Sequence, residues 1–120
     1  MANPSTGFGG AGTEVLRRGY IDGMTNSEAT LLTGVANHIY TVLSIIWSNK
    51  NSSDEAIHLY VDPDLGGTDL YLFHTQSVPG DATYIFNDKF VITETDKLHS
   101  AATSAADFDV WITYIDQQLA

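Results

Sequence analysis

The side chains whose types could support chemistry are four histidines, His38, His58, His74 and His99, and a scatter of aspartates. Imidazole ligands of a metal centre recur at short spacings, and no two of these histidines stand close in sequence. His58 and His74 could meet across neighbouring strands, although chance placement is the commoner reading. Asp62, Asp64 and Asp69 share one loop and offer the oxygen ligands that a hard cation takes. They depart from a calcium-hand loop, because Gly66 stands two positions after Asp64 and Phe73 holds the late glutamate position. A solvated acidic turn is the ordinary source of such a trio. Asp107 and Asp109 sit at a strand start, where solvated acids are also ordinary. No G-x-S-x-G, H-E-x-x-H, phosphate loop or dinucleotide fingerprint occurs. No catalytic residue, metal or cofactor is therefore assigned, and the chain is not expected to be an enzyme.

Outward aromatics are the more informative side chains. Phe108, Val110, Ile112 and Tyr114 alternate with Asp109, Trp111, Thr113 and Ile115, so a core-facing Phe108 places Trp111 outside. In the same way Ile57, Leu59 and Val61 alternate with His58 and Tyr60. An outward Trp or Tyr on a sheet suits a subunit interface or stacking on a sugar ring. The competing reading is that the 13–22 segment covers Trp111.

The elements that must position these residues are strands. The stretch HIYTVLSIIW, a polar break SNKNSSDE, and AIHLYV form two β-rich runs joined by a loop. The first run is apolar on both faces, with Ile39, Leu43, Ile45 and Trp47 opposite Tyr40, Val42 and Ile46. Such a strand is central, or covered by another subunit or arm. Thr25 to Trp47 also has helical spacing behind a capping box, but Gly34, Asn37 and the β-branched second half favour strands at 28–33 and 38–48. Further strands are expected over 70–75, 84–86, 90–92, 97–103 and 108–115, with Thr13 to Asp22 as a candidate first strand. Pro79-Gly80 predicts a type II turn over 78–81, and Asn87-Asp88-Lys89 a hairpin-like reversal. Eight or nine short strands with regular turn signals predict an antiparallel β-sandwich of jelly-roll type. Residues 1–25 read as an N-terminal arm or extension with Phe8 as its apolar anchor, and residues 26–120 as the sandwich domain.

Composition bounds the partners. With 120 residues, the chain can bury roughly 65% of its unfolded surface and needs no staple. Zero cysteines exclude a disulfide scaffold, a thiolate metal site and a cysteine nucleophile. Fifteen acids against five bases give a net charge of −10, which repels nucleic acid. No apolar run nears the ~20 residues of a membrane span, and the glycine-rich start, with neither a basic n-region nor an apolar h-region, is not expected to be a secretion signal. Arg17 and Arg18 stand together, able to serve a carboxylate inside the chain or across an interface, or to sit solvated.

The succession TLLTGVANHIYTVLSIIWSN, DEAIHLYVD, GGTDLYLFH, VPGDATYIFNDKFVITETDKL and DFDVWITYID resembles small β-sandwich virion proteins of tailed bacteriophages, several of which are capsid decoration (cement) proteins. The matching features are a strand ending at Asn49, the His58-Leu59-Tyr60-Val61-Asp62 strand, the turn at Pro79-Gly80 and the step Glu94 to Leu98 into the next strand. The terminal strand, Asp109 to Ile115, also matches. The likeness covers roughly residues 28–116; the chain departs from it in lacking a proline in the 34–36 turn and in its N-terminal extension. What the resemblance implies is a non-catalytic structural protein on the outer capsid surface, made in the host cytoplasm. Its partners would be the major capsid protein and its own copies as a homotrimer. Phe8, Arg17, Arg18, Tyr60 and Trp111 are the expected interface residues. A neck or tail-fibre component and a carbohydrate-binding jelly roll using Trp111, Tyr60 and a cation at Asp62 and Asp64 are the alternatives.

Overall fold

The computed structural model describes residues 13–63 and 68–119, so Phe8 and Asp64 lie outside the described residues. The described residues form nine strands: β1 (Thr13–Met24), β2 (Ala29–Thr33), β3 (His38–Asn49), β4 (Glu55–Asp62), β5 (Leu70–Val78), β6 (Thr83–Phe86), β7 (Phe90–Thr93), β8 (Lys97–Ala102) and β9 (Phe108–Gln118). Among them no helix is long and apolar enough to cross a membrane. One sheet runs β1-β9-β3-β6, with β7 also on β3, and the other runs β2-β8-β4-β5. Every pairing is antiparallel. The expected antiparallel, jelly-roll-like sandwich is the observed fold.

β6 and β7 correct one expectation. Both run antiparallel to β3, β6 along Ile45–Ser48 and β7 along Ile39–Val42, so the chain keeps its direction through residues 87–89. Those three polar residues interrupt a single strand and do not reverse it. The register of β3 against β9 slips between Val42 and Ser44, opposite that interruption. This bulge flips the side-chain alternation of β3. Tyr40 and Val42 are buried before it and Ile45 and Trp47 after it, while Ile46 turns outward.

The arm boundary moves as well. Residues 13–24, read with the arm, form β1 and pair with β9 along most of their length, so this segment belongs to the sandwich. The turn after β5 is also displaced. Ala82 N–H donates to Pro79 O (3.1 Å), and Asp81, not Gly80, takes the left-handed conformation (φ 59°).

Phe108, Val110, Ile112, Ile45 and Trp47 from one sheet bury against Ile57, Leu59, Leu98 and Ala102 from the other. Trp47 crosses this interface: its indole N–H donates to Ser100 Oγ (3.1 Å), whose hydroxyl donates to His58 O (2.7 Å). The tryptophan is thereby buried with its polar atom satisfied.

Candidate functional site

The outer face of the four-stranded sheet gathers rings. Antiparallel pairing of β4 with β5 and β8 brings His58, Tyr60, Tyr71, His74 and His99 into one surface. His58 and His74 do meet across the strands, their rings 4.4 Å apart. Tyr60 lies 4.9 Å from Tyr71 and 5.5 Å from His99, and its hydroxyl donates to Glu28 Oε2 (2.7 Å). Tyr60 is therefore buried, and the expectation that it presents an exposed aromatic surface is wrong. The alternation assigned the sheet face correctly, but Glu28, just before β2, and Tyr71 cover the ring. Burial, followed by the Glu28 contact, pushes its hydroxyl pKa well above the ordinary tyrosine value.

Among the described residues no cluster of three or more His, Asp or Glu side chains could hold a metal, the ring face included. His58 Nδ1 accepts from Thr75 N–H (3.1 Å), with Thr75 held at φ 62°. Protonating that nitrogen would set a donor against a donor. Burial first, and then the neighbouring His74, depress the His58 pKa below the ordinary histidine value. The folded chain thus binds this proton less readily than the unfolded one. Stability present above the ordinary histidine range is lost as pH falls through it toward the folded value. The thermal midpoint of His74→Gln relative to wild type is expected to rise as pH falls from about 7.5 to about 5.5. Identical pH responses of the two proteins would contradict this account of the pair.

The outer face of the five-stranded sheet is different, because it is open. Pairing aligns Tyr20 with Trp111, Trp111 with Ile46 and Ile46 with Ile85 in one row across four strands. A second row joins Leu16, Ile115, Thr41 and Val91. Leu16, Tyr20, Ile85, Val91 and Trp111 are all exposed, from 67% at Leu16 to 45% at Trp111. Tyr20 flanks Trp111, their rings 6.1 Å apart and 19° from parallel, so β1 sits beside the indole and does not cover it. Arg18, between the rows, places its guanidinium 5.6 Å from the Tyr20 ring centre and 5.2 Å from that of Trp111. On the other side of the first row lies a groove of about 340 Å³, lined by Ile46, Asp22, Ser48 and Asp109 together with Tyr20 and Trp111. Lys50 Nζ holds this end together, 2.9 Å from Asp109, 3.2 Å from Asp107 and 3.9 Å from Asp22. Its hydrogen bond lowers the Asp109 pKa, and the lysine pKa rises in return.

No protein-family model matches the sequence, and no curated protein matches it. Among solved structures the chain is similar to one described as "Bacillus endospore appendages form a novel family of disulfide-linked pili". The TM-score is 0.57 at 18% identity, covering 100% of this chain and 96% of that one. It is also similar to the infectious bursal disease virus Gx strain structure and to that virus's VP2 subviral particle, each at TM-score 0.50 with 8% and 9% identity. There the match takes in 92% of this chain but spans only 37% and 38% of the viral chains. The likenesses establish the sandwich fold, one found in pilus and viral structural proteins.

Of the expected interface residues, Trp111 is exposed, and Arg18 packs beside it. Arg17 serves an internal carboxylate: its Nε donates to Asp116 Oδ2 (2.9 Å), while His38 Nδ1 lies 2.6 Å from Oδ1 of the same group. The expected list lacks Tyr20, although the alternation places it with Leu16 and Arg18 on one face of β1. What was missing is the β1–β9 pairing that sets Tyr20 beside Trp111.

Proposed function

We infer that the protein is a non-catalytic structural component of a tailed-phage virion, decorating and stabilising the outer capsid surface as a homotrimer. The observation that carries this reading is the row Leu16, Ile115, Thr41 and Val91 on the five-stranded sheet, exposed at its two apolar ends, 67% at Leu16 and 55% at Val91. A largely apolar row across the strands of a sheet suits a protein surface. The motif resemblance over residues 28–116 supplies the virion context. Repetition of a modest contact over a shell gives strong clamping by multivalency. With Arg17 engaged by Asp116 and the row taken up between copies, contact with the coat protein rests on the N-terminal segment more than on the arginine pair.

Immunogold labelling of phage particles with antibody to the purified protein is expected to mark heads. Label on necks or tails would move the protein to that position, and absence from particles would overturn the reading. Light scattering on a sizing column is expected to give a trimer, and Leu16→Glu or Val91→Glu to give a folded monomer. A wild-type monomer with no affinity for undecorated heads would contradict assembly through this row. A truncation testing the N-terminal segment has to stop before Thr13, because β1 belongs to the sandwich.

The near full-length likeness to the pilus subunit favours a second reading, a subunit of a filament. Without cysteines this chain could not form that protein's disulfide links, so such a filament would be held by non-covalent contacts alone. Antibody label on filaments would select it.

A further inference from the structure

We propose that the groove beside Tyr20 and Trp111 is a binding site for a neutral carbohydrate, which stacks a pyranose ring on the aromatic pair and hydrogen-bonds its hydroxyls to Asp22, Ser48 and Asp109. This site is separate from the Leu16 row and does not depend on the virion reading.

Three features select this ligand. The first is the wall. Two nearly parallel rings, held by adjacent β1 and β9, present apolar surface that is 61% exposed at Tyr20 and 45% at Trp111. Arg18 approaches the pair from the Thr113 side, which leaves the side toward the groove open. The second feature is the opposite boundary. Two residues along each strand, Asp22, Asp109 and Ser48 replace the apolar row with hydrogen-bonding groups. Gly23 (φ 73°) lies in the β1 irregularity next to Asp22, and its N–H donates to Asp109 Oδ1 (3.2 Å), fixing this edge. A ligand spanning wall and edge needs an apolar face and a hydroxyl rim about one ring apart, which is the chemistry of a pyranose. The third feature is charge. A chain of net charge −10 with carboxylates at the groove repels an anion. A cation would have to displace Lys50 from Asp109 and Asp107, and would meet Arg18 behind the rings. A neutral polar ligand meets neither obstacle. At about 340 Å³ the groove falls within the range of small-ligand clefts.

Trp111 reports on its own site, because the chain's other tryptophan, Trp47, is fully buried. The full chain would be titrated with cellohexaose, xylohexaose, mannohexaose and chitohexaose, following tryptophan emission, with polygalacturonate as the anionic comparison. At least one neutral oligosaccharide is expected to bind with a blue shift, and polygalacturonate is not. By isothermal titration calorimetry, which needs no tryptophan reporter, Trp111→Ala and Tyr20→Ala should each weaken that binding by about tenfold or more, with thermal midpoints close to wild type since both side chains are exposed. Leu16→Glu should leave it unchanged, so that loss of assembly and loss of sugar binding are read separately. Binding retained in Trp111→Ala, or no neutral sugar bound at millimolar concentration, overturns the proposal. So does an emission shift that follows protein concentration alone, since it would assign the aromatic pair to a contact between copies.

Discussion

Replacing Asn49 with leucine is expected to lower the unfolding free energy by about 3 kcal/mol, from the loss of hydrogen bonds to buried backbone groups. Asn49 is the last residue of β3 and is 2% exposed. Its Nδ2 group donates to Ser53 O (3.1 Å), Val78 O (3.2 Å) and Pro79 O (3.2 Å), while its Oδ1 accepts from Asn51 N–H (3.0 Å). Leucine fills the space but leaves all four backbone groups without this partner. Aspartate is the sharper probe. It keeps the acceptor for Asn51 and turns the donor into a carboxylate facing three carbonyl oxygens, so Asn49→Asp should cost more than Asn49→Leu. Urea denaturation of both variants checks this. Losses below about 1 kcal/mol would show that water can replace the amide. Folded domains hold only about 5–15 kcal/mol, so the expected loss is a large share of the total.

The motif reading singled out Asn49 without a reason for it, and the structure supplies one: a single amide ties the end of β3 to the loop after it and to the end of β5. Strands were legible because alternation follows directly from the pleat. Phe108, Val110 and Ile112 are buried and Trp111 is exposed, as period two requires. Alternation fails where the backbone skips a residue. β3 reads as apolar on both faces because its inward set is Tyr40 and Val42 before the bulge and Ile45 and Trp47 after it. It is a central strand between β9 and β6, so no covering subunit is needed to account for its pattern. Asn87-Asp88-Lys89 has turn composition, yet composition cannot distinguish a reversal from an interruption opposite a bulge.

The two outer faces show a second limit. Tyr60 and Trp111 are both outward by parity, but a side chain's exposure depends on what packs over the sheet. Glu28 lies 32 residues before Tyr60 and still caps its hydroxyl, whereas Trp111, beside Tyr20 and Arg18, stays 45% exposed. The groove edge likewise needs Asp22, Ser48, Lys50 and Asp109 from three separate segments. Only the strand order β1-β9-β3 brings them together. Pair spacing along the chain carries no trace of this.

Gly80→Ala is expected to cost about 2–4 kcal/mol, a far larger effect than alanine usually has in a turn. Gly80 does not have the left-handed backbone; in this turn Asp81 does. A Cβ at Gly80 would run into the carbonyl of Ser52, and because the obstacle is backbone it cannot rotate away. The loop and the turn are drawn together here by Asp81 N–H donating to Asn51 O (2.9 Å) and Gly80 N–H donating to Asp54 Oδ1 (3.0 Å). Gly23→Ala is the contrasting variant: it carries the positive φ, but its Cβ would meet only Asp107 Oδ1 at 3.4 Å, so about 1 kcal/mol is expected. A larger cost at Gly23 than at Gly80 would mean that conformation, not close approach, sets the penalty. Asn49 and Gly80 fasten the same loop to the same turn, so the double variant Asn49→Leu, Gly80→Ala should lose less than the separate losses added, by about 1–2 kcal/mol. Full additivity in urea would show that the amide and the glycine secure the loop independently.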